Sequence, residues 1–285
     1  MARPPRVVGI VVGVLLVATA SLSACSSPPK SIAPANLEIV CEGNGSPTVI
    51  LVPGLDTPAE TFESLQAQIA TDTRVCSYSR AGIGRSPDWP EDLPDPTAGT
   101  AADQLRATLE AKDIPGPYVM LGWSYGGLVT QAFAARHRDA LAGLVFEDSS
   151  MMGQFESEFS DPSTFEEGGR AINLESTADE VAQLKMTGLP LIVLTEGIPP
   201  EGVDEATLEW YTQLHDELSD LSDDSLHLIA TDASHAIHWD SEALVEKAVD
   251  SVVEAVRSGD PLPECDDAVW VPYGGECRAT GDAGQ

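Results

Sequence analysis

A serine lies at the centre of a glycine-flanked pentapeptide in the middle of the chain. Residues 122–126 read Gly-Trp-Ser-Tyr-Gly, which fits the pattern G-x-S-x-G around Ser124. The apolar run 117–121 precedes this pentapeptide, and a helical pattern follows it. A tight turn between a strand and a helix lifts such a serine above a sheet edge, where it can act as a nucleophile. The same turn brings the backbone N–H of Tyr125 to a helix N-terminus, where it can stabilise an oxyanion.

A serine hydroxyl is a poor nucleophile until a neighbouring base takes its proton. Five histidines are available for this role. Three of them lie inside predicted helices or a predicted strand: His137, His215 and His227. His235 follows the last predicted strand after a short turn, so it can reach back to Ser124. We therefore prefer His235 as the base, and His238 in the same loop is the alternative.

The third member of a catalytic triad fixes the tautomer of the imidazole and stabilises its cation. Asp148 ends the strand that follows the helix after Ser124, and Glu196 ends the next strand. Aspartate has the shorter reach usually used for this role. Asp148 is therefore the favoured acid and Glu196 the alternative. A role as a helix cap would also account for Asp148, and a role as a turn residue would also account for Glu196.

The elements that must position these residues form an alternating pattern between residues 37 and 260. Short apolar strands are predicted at 37–41, 48–52, 74–78, 117–121, 141–147, 190–194 and 226–230, with helices between most of them. This alternation predicts an α/β fold with a mostly parallel central sheet and helices on both faces. Functional sites of such folds lie at the carboxyl ends of the strands, which each candidate residue follows.

Residues 151–185 interrupt the alternation and would form a short cap. They are acidic and aperiodic at first, and helical from about Thr177. A few large apolar side chains could line the mouth of a pocket: Met151, Met152, Phe155, Phe159 and Phe165. So small a cap suits small or medium acyl groups better than long lipid chains.

The chain is strongly acidic. Its 285 residues include 46 acidic and 15 basic side chains, which gives a net charge of −31. This balance argues against nucleic-acid binding, which needs a basic surface. The acids are scattered along the chain, so we interpret them as a solubilising surface. The histidines lack the paired spacing of metal ligands, and we expect neither a metal site nor a cofactor.

The N-terminal segment has the features of an export signal. Two arginines precede an uncharged and mostly apolar stretch at 7–24, so residues 1–24 are predicted to be a signal peptide. Leu-Ser-Ala-Cys at 22–25 resembles the lipobox of bacterial lipoproteins, which implies that Cys25 becomes the first mature residue and carries lipid. Residues 25–36 would then be a tether. An ordinary signal peptide and a single membrane anchor are the alternatives.

These features predict a protein exported to the outer side of the cell membrane and held there by lipid alone, or else secreted. We expect a monomer. Four cysteines remain once Cys25 is assigned to lipid, an even number that suggests disulfides in an exported protein. Three pairings are possible, and the spacing of the cysteines does not choose among them.

Four motifs together characterise the chain. They are Leu-Val-Pro-Gly at 51–54, Tyr-Ser-Arg-Ala-Gly-Ile-Gly-Arg-Ser at 78–86, Gly-Trp-Ser-Tyr-Gly-Gly at 122–127 and Ser-His at 234–235. From about Leu37 to Val256 the chain resembles the α/β-hydrolase superfamily, of the α/β-hydrolase-1 kind. Members usually hold the triad acid after the seventh strand, but a subset that includes relatives of haloalkane dehalogenases holds it after the sixth, which corresponds to Asp148.

The resemblance also implies further features of the site. The backbone N–H groups of Leu55 and Tyr125 would form the oxyanion hole. Typical members read Tyr-Asp-Arg where this chain has Tyr-Ser-Arg at 78–80, so a carboxylate that normally stabilises the local turn is missing. The strand order of the family would place Cys41 beside Cys76 on neighbouring strands, which leaves Cys265 and Cys277 to form a second disulfide, Cys265–Cys277, in the C-terminal tail of residues 261–285.

The favoured function is a serine hydrolase that cleaves a small-molecule carboxylic ester through Ser124, His235 and Asp148. A serine nucleophile argues against dehalogenase and epoxide hydrolase activity, since those reactions need an attacking carboxylate. A peptidase, thioesterase or perhydrolase could use the same triad. A non-catalytic binding lipoprotein of the cell envelope is the alternative of another class.

Overall fold

The computed structural model describes Met1 and residues 36–156, 165–182 and 184–278. Within these ranges the strands are β1 (Ile39–Glu42), β2 (Thr48–Val52), β3 (Val75–Tyr78), β4 (Tyr118–Trp123), β5 (Leu141–Glu147), β6 (Glu166–Glu167), β7 (Arg170–Ala171), β8 (Pro190–Glu196), β9 (Asp224–Ala230) and β10 (Gly275–Cys277). The α-helices are α1 (Glu63–Ile69), α2 (Ala98–Ala111), α3 (Tyr125–Arg136), α4 (Leu174–Val181), α5 (Glu205–Ser219), α6 (Ile237–Asp240), α7 (Glu242–Ser258) and α8 (Asp267–Trp270).

Eight strands form one sheet in the order β1-β3-β2-β4-β5-β8-β9-β10. The six inner strands run parallel to one another, and β1 and β10 pair with them in the antiparallel direction. Every residue of β2, β3 and β4 is buried, as expected for strands covered on both faces. The predicted α/β class with a mostly parallel sheet is therefore confirmed.

Two apolar clusters lie on opposite faces of this sheet. Ile50 and Val52 of β2 belong to one cluster, whereas Val49 and Leu51 belong to the other, because successive side chains of a strand point to opposite faces. Helices α2, α3 and α4 pack on the first face, and α1 and α7 pack on the second. The carboxyl ends of the parallel strands are thereby held in one row between two layers of helices.

The structure contains both disulfides that the resemblance implied. Cys41–Cys76 joins β1 to β3, where the two residues are directly paired in the ladder. Cys265–Cys277 closes a loop of the C-terminal tail. That tail is integrated into the domain, because β10 pairs with β9 and Trp270 is completely buried. Such pairing was not expected from the Pro- and Gly-rich composition of the tail.

The cap is described only in part, because residues 157–164, Phe159 among them, lie outside the described ranges. Its remaining pieces are a 3-10 turn at Met152–Glu156, the hairpin β6–β7 and helix α4. Helix α4 begins at Leu174, three residues before the predicted start, since the side chain of Asn173 caps it by accepting from Ser176 N at 2.9 Å. Residues 2–24 of the predicted signal peptide, Cys25 and the tether up to residue 35 also lie outside the described ranges.

Candidate active site

Ser124 occupies the sharp turn between β4 and α3. Its backbone has φ 53° and ψ −125°, which is a strained conformation for a residue with a side chain. The turn fits only because its neighbours are glycines. A Cβ on Gly126 would lie 2.1 Å from the carbonyl oxygen of Val52, and one on Gly127 would lie 1.8 Å from Oγ of Ser149. The structure therefore has the elbow that the sequence predicted around Ser124.

Asp148 and His235 lie in hydrogen-bond contact. Asp148 directly follows β5, and its Oδ2 lies 2.6 Å from Nδ1 of His235 in the loop after β9. The other carboxylate oxygen, Oδ1, accepts from the backbone N–H of Glu196 at 3.1 Å. Burial disfavours the imidazolium of His235, but the hydrogen bond and charge of Asp148 outweigh burial and raise the pKa of His235. Of the two acids left open by the sequence, the structure pairs His235 with Asp148.

Trp123 connects the histidine loop to the elbow. Its indole Nε1 donates to the backbone carbonyl of His235 at 2.8 Å, and the two rings lie 5.5 Å apart. The residue before Ser124 is thereby bonded directly to the residue that would act as base. These contacts give Trp123 a role in positioning the loop.

The alternative base, His238, is buried away from this edge. Its Nδ1 lies 2.6 Å from Oε1 of Glu147, and its ring packs against Phe62 and Trp123 at 4.7 Å. Only 3% of His238 is exposed. It is part of the packing beneath the site, and the structure does not bring it to Asp148.

Arg80, from the second sequence motif, organises the loop that carries Leu55. The fully buried guanidinium donates to the carbonyl of Pro53 at 2.6 Å and to that of Gly54 at 2.5 Å. It also lies 5.1 Å from the centre of the Tyr125 ring. Arg80 therefore contacts both stretches of chain, at Leu55 and Tyr125, whose amides were predicted to form the oxyanion hole.

The counter-ion of Arg80 is Glu167 in the cap hairpin. Glu167 accepts from Nε at 2.7 Å and from a terminal nitrogen at 2.5 Å, and the pair is almost completely buried. Asp56, next to Leu55, donates its N–H to the same carboxylate at 3.2 Å and accepts from Gly168 N at 3.1 Å. Sequence reasoning missed Glu167, although an arginine at the end of a buried strand indicates that an acid must lie nearby.

Glu38 supplies the carboxylate that the serine at position 79 lacks. Ser79 Oγ donates to Oε2 of Glu38 at 2.9 Å and accepts from Ala59 N at 3.0 Å. The same Oε2 accepts from Arg85 N at 2.8 Å. A serine and a distant glutamate thus take the place of the aspartate typical of the second motif, so the turn keeps its acceptor.

A chain of hydrogen bonds runs behind Asp148. Nε2 of His215 lies 2.8 Å from the Ser149 carbonyl, and Nδ1 lies 2.6 Å from the hydroxyl of Thr195. That hydroxyl lies 2.7 Å from Nε2 of His227, whose Nδ1 lies 2.6 Å from Oδ1 of Asp216. The carbonyl and the carboxylate only accept, and the hydroxyl has one proton. The hydroxyl can therefore donate to only one of the two imidazoles and must accept from the other.

Burial determines the preferred state of His215 in this chain of hydrogen bonds. Burial is the largest influence on His215 and lowers its pKa. His227 instead faces the carboxylate of Asp216, whose pKa is held low, against the effect of burial, by hydrogen bonds from His227 and Arg278. The neutral His215 then donates to the carbonyl of Ser149 and supports the segment that carries Asp148.

Asp148, Glu196 and His235 also offer one possible metal-ligand atom each, all within 4.8 Å of one another. Oδ2 of Asp148 is already bonded to the imidazole, and Oδ1 to a backbone amide. This arrangement is typical of an acid that orients a histidine. Among the described residues no other group of three or more such ligands comes together.

Comparisons with known proteins identify the same fold. A sequence model of the family described as "alpha/beta hydrolase fold" matches residues 47–178. The uncharacterized protein YqjL of Bacillus subtilis is 28% identical over 217 residues, covering 73% of this chain and 84% of that protein. The pimeloyl-[acyl-carrier protein] methyl ester esterase of Chromobacterium violaceum is 34% identical over 115 residues, covering 40% of this chain and 41% of the esterase.

Solved structures share the architecture. A thermophilic esterase from Thermogutta terrifontis superposes with a TM-score of 0.59 at 20% identity, covering 77% of this chain and 93% of the esterase. A serine hydrolase involved in carbazole degradation superposes with a TM-score of 0.54 at 15% identity, covering 78% of this chain and 96% of that hydrolase. At these identities the likeness is one of fold.

Proposed function

Because the chain has the α/β-hydrolase fold and a family model of that fold matches residues 47–178, we propose that it belongs to the α/β-hydrolase superfamily and is a serine hydrolase that cleaves carboxylic esters. The observation that carries the proposal is the hydrogen-bonded pair Asp148–His235 beside the strained elbow of Ser124. The three residues follow three strands of one parallel sheet, so they meet at the same row of strand ends.

In the first half of the reaction, His235 removes the proton of Ser124 as the hydroxyl attacks the ester carbonyl. Asp148 stabilises the imidazolium that forms, and the amides of Leu55 and Tyr125 stabilise the oxyanion. His235 then gives its proton to the leaving alcohol, and an acyl-enzyme remains on Ser124. In the second half, His235 takes a proton from water, which attacks the acyl-enzyme, and His235 returns this proton to Oγ of Ser124 as the carboxylic acid leaves.

The proposal is tested with a fluorophosphonate probe, which labels activated serines. We expect the wild-type protein to be labelled and Ser124→Ala not to be. Ser64→Ala, which changes an exposed serine of α1, is the matched control and should be labelled like the wild type. If the wild type is not labelled, or if Ser124→Ala is labelled equally, the chain is not a serine hydrolase of this mechanism.

The choice of esters over amides, thioesters and peroxyacids rests on the small cap and on the esterases among the similar proteins. Aromatic side chains of the cap lie over the elbow, with Phe165 5.5 Å from the Tyr125 ring and 5.0 Å from Phe155. This favours a small acyl group. Initial rates on matched esters, amides and thioesters of acetate and butyrate would decide the class.

We also propose that the protein is exported, lipidated at Cys25, and anchored to the outer side of the cell membrane. Support comes from the signal-like sequence and from the two disulfides, which persist in oxidising compartments. Within the described residues, no helix is long and apolar enough to cross a bilayer. Metabolic labelling with a palmitate analogue should modify the wild type and not Cys25→Ser, and labelling of both would disprove the assignment.

A further inference from the structure

A small cavity lies next to the Asp148–His235 pair, with a volume of about 210 Å³. Most of its wall is apolar or aromatic and comes from α5 and from the loop that precedes this helix. The lining includes Val203, Leu208, Trp210 and Tyr211, and Glu196 contributes a carboxyl group. The cavity therefore combines two aromatic rings with an acid directly beside the proposed base.

The carboxyl group of Glu196 has no role in the proposed reaction. Only 6% of the residue is exposed, and its Oε2 is buried without a hydrogen-bond partner. Its backbone N–H, not its side chain, contacts Asp148. Leaving a buried carboxyl oxygen unpaired costs free energy, so a carboxyl group that lines a cavity and has one such oxygen indicates a missing partner.

The charged and titratable groups around Glu196 do not supply this partner. Asp148 and His235 are bonded to each other, and Tyr211 is neutral because burial and the two acids raise its pKa well above the usual value. Arg278 lies on the outer side of Glu196, where it is paired with Glu209 and Asp216. Among the described residues, no lysine or arginine lines the cavity.

We propose that this cavity binds a small alkylammonium group of the substrate, with Glu196 as its counter-ion and Trp210 and Tyr211 as aromatic walls. Cations are attracted both to carboxylates and to the faces of aromatic rings. The net charge of −31 also raises the concentration of cations near the protein. This assignment rests on the proposed ester hydrolase.

The position of the cavity indicates which part of the substrate carries the cation. His235 gives its proton to the leaving alcohol, so the alcohol must lie beside the imidazole. The cavity is lined by His235 and Asp148. The charged group therefore belongs to the alcohol, as in an ester of an ammonio-alkanol.

Because the proposed counter-ion Glu196 can lose its charge, the preference for a cationic over a neutral ester should depend on pH. Burial and then the negative charge of Asp148 raise the pKa of Glu196 to about 7, although His235 partly offsets this effect. Below that pH the carboxyl is neutral and attracts a cation weakly. Preference for the cationic ester should therefore increase as the pH rises from 6 to 8.

The test compares two acetate esters of nearly equal shape, 2-(trimethylammonio)ethyl acetate and 3,3-dimethylbutyl acetate. The readout is the ratio of their kcat/KM values at low ionic strength and pH 8. We expect the wild type to favour the cationic ester by about tenfold, and Glu196→Gln to lose most of this preference. Glu201→Gln removes the same charge from an exposed position and should change the ratio less than twofold.

The outcomes separate this inference from the proposed function. A wild-type ratio near or below one, or a ratio that Glu196→Gln leaves unchanged, would overturn the ammonium site while ester hydrolysis itself stands. Absence of hydrolysis of both esters, together with no fluorophosphonate labelling of Ser124, would instead overturn the hydrolase. Tetramethylammonium should also inhibit hydrolysis of the neutral ester competitively in the wild type and less strongly in Glu196→Gln.

Discussion

Asp148→Asn changes one atom of the acid that contacts His235, and the structure dictates which way the new amide must face. Oδ1 accepts from the backbone N–H of Glu196 at 3.1 Å, so the amide oxygen must keep that place. The NH₂ group then faces Nδ1 of His235, 2.6 Å away in the wild type. His235 must accept there and carry its proton on Nε2, the nitrogen that should take the proton of Ser124.

The expected fall in kcat/KM of Asp148→Asn has two causes, the lost charge and the reversed tautomer. A unit charge at about 4 Å in an effective dielectric of 20 stabilises the imidazolium by about 4 kcal/mol. The side chain of His235 is 45% exposed, so solvent screening reduces this to roughly half. The reversed tautomer adds a further loss, and together they predict a fall in kcat/KM of about a thousandfold or more.

The assay is hydrolysis of p-nitrophenyl acetate from pH 5 to 9, with Glu196→Gln as the matched control. The rate of the wild type should rise with pH through a midpoint above the usual pKa of histidine, because Asp148 raises the pKa of His235 and only the neutral imidazole is a base. A loss below tenfold for Asp148→Asn, or a larger loss for Glu196→Gln, would refute the assignment of the acid.

Two further predictions concern buried partners. Glu167→Gln leaves the guanidinium of Arg80 without its counter-ion, so we expect a loss of about 3–5 kcal/mol in the free energy of unfolding, measured by urea denaturation, whereas the exposed Glu166→Gln should cost little. Equal stability of the two variants would contradict the role of this pair. Thr195→Val removes the hydroxyl between two imidazoles and should lower the free energy of unfolding by about 1–3 kcal/mol. The loss should exceed that of Thr212→Val, because the hydroxyl of Thr212 bonds only to its own helix. Equal losses in the two variants would refute the hydrogen-bond chain.

The sequence was most informative where local pattern determines structure. Continuous apolar runs predicted the inner strands, and the glycines around Ser124 predicted the elbow, because a turn this tight has no room for other side chains. The order of the strands, which came from the family resemblance, brought Cys41 beside Cys76. The pairing of Asp148 with His235 followed from their places at strand ends.

What the sequence did not reveal are partners that meet only through the tertiary fold. Glu167 is 87 residues from Arg80 and lies in a two-residue strand with no recognisable pattern. Glu38 reaches Ser79 across 41 residues. Strand β10 was missed because three residues in a Gly-rich tail have no periodicity, and their pairing depends on β9 and on the buried Trp270.

The two disulfides lie at opposite margins of the central sheet. Cys41 belongs to β1 and Cys277 to β10, the outermost strands. Within the part of the chain that the structure describes, each of these strands leaves one row of backbone groups without a strand partner. Outermost strands that loosen expose backbone that can pair with other chains. We therefore expect oxidation to protect this protein against self-association as well as against unfolding. A reduced protein would be expected to aggregate through its margins while the parallel strands that carry Ser124, Asp148 and His235 remain folded.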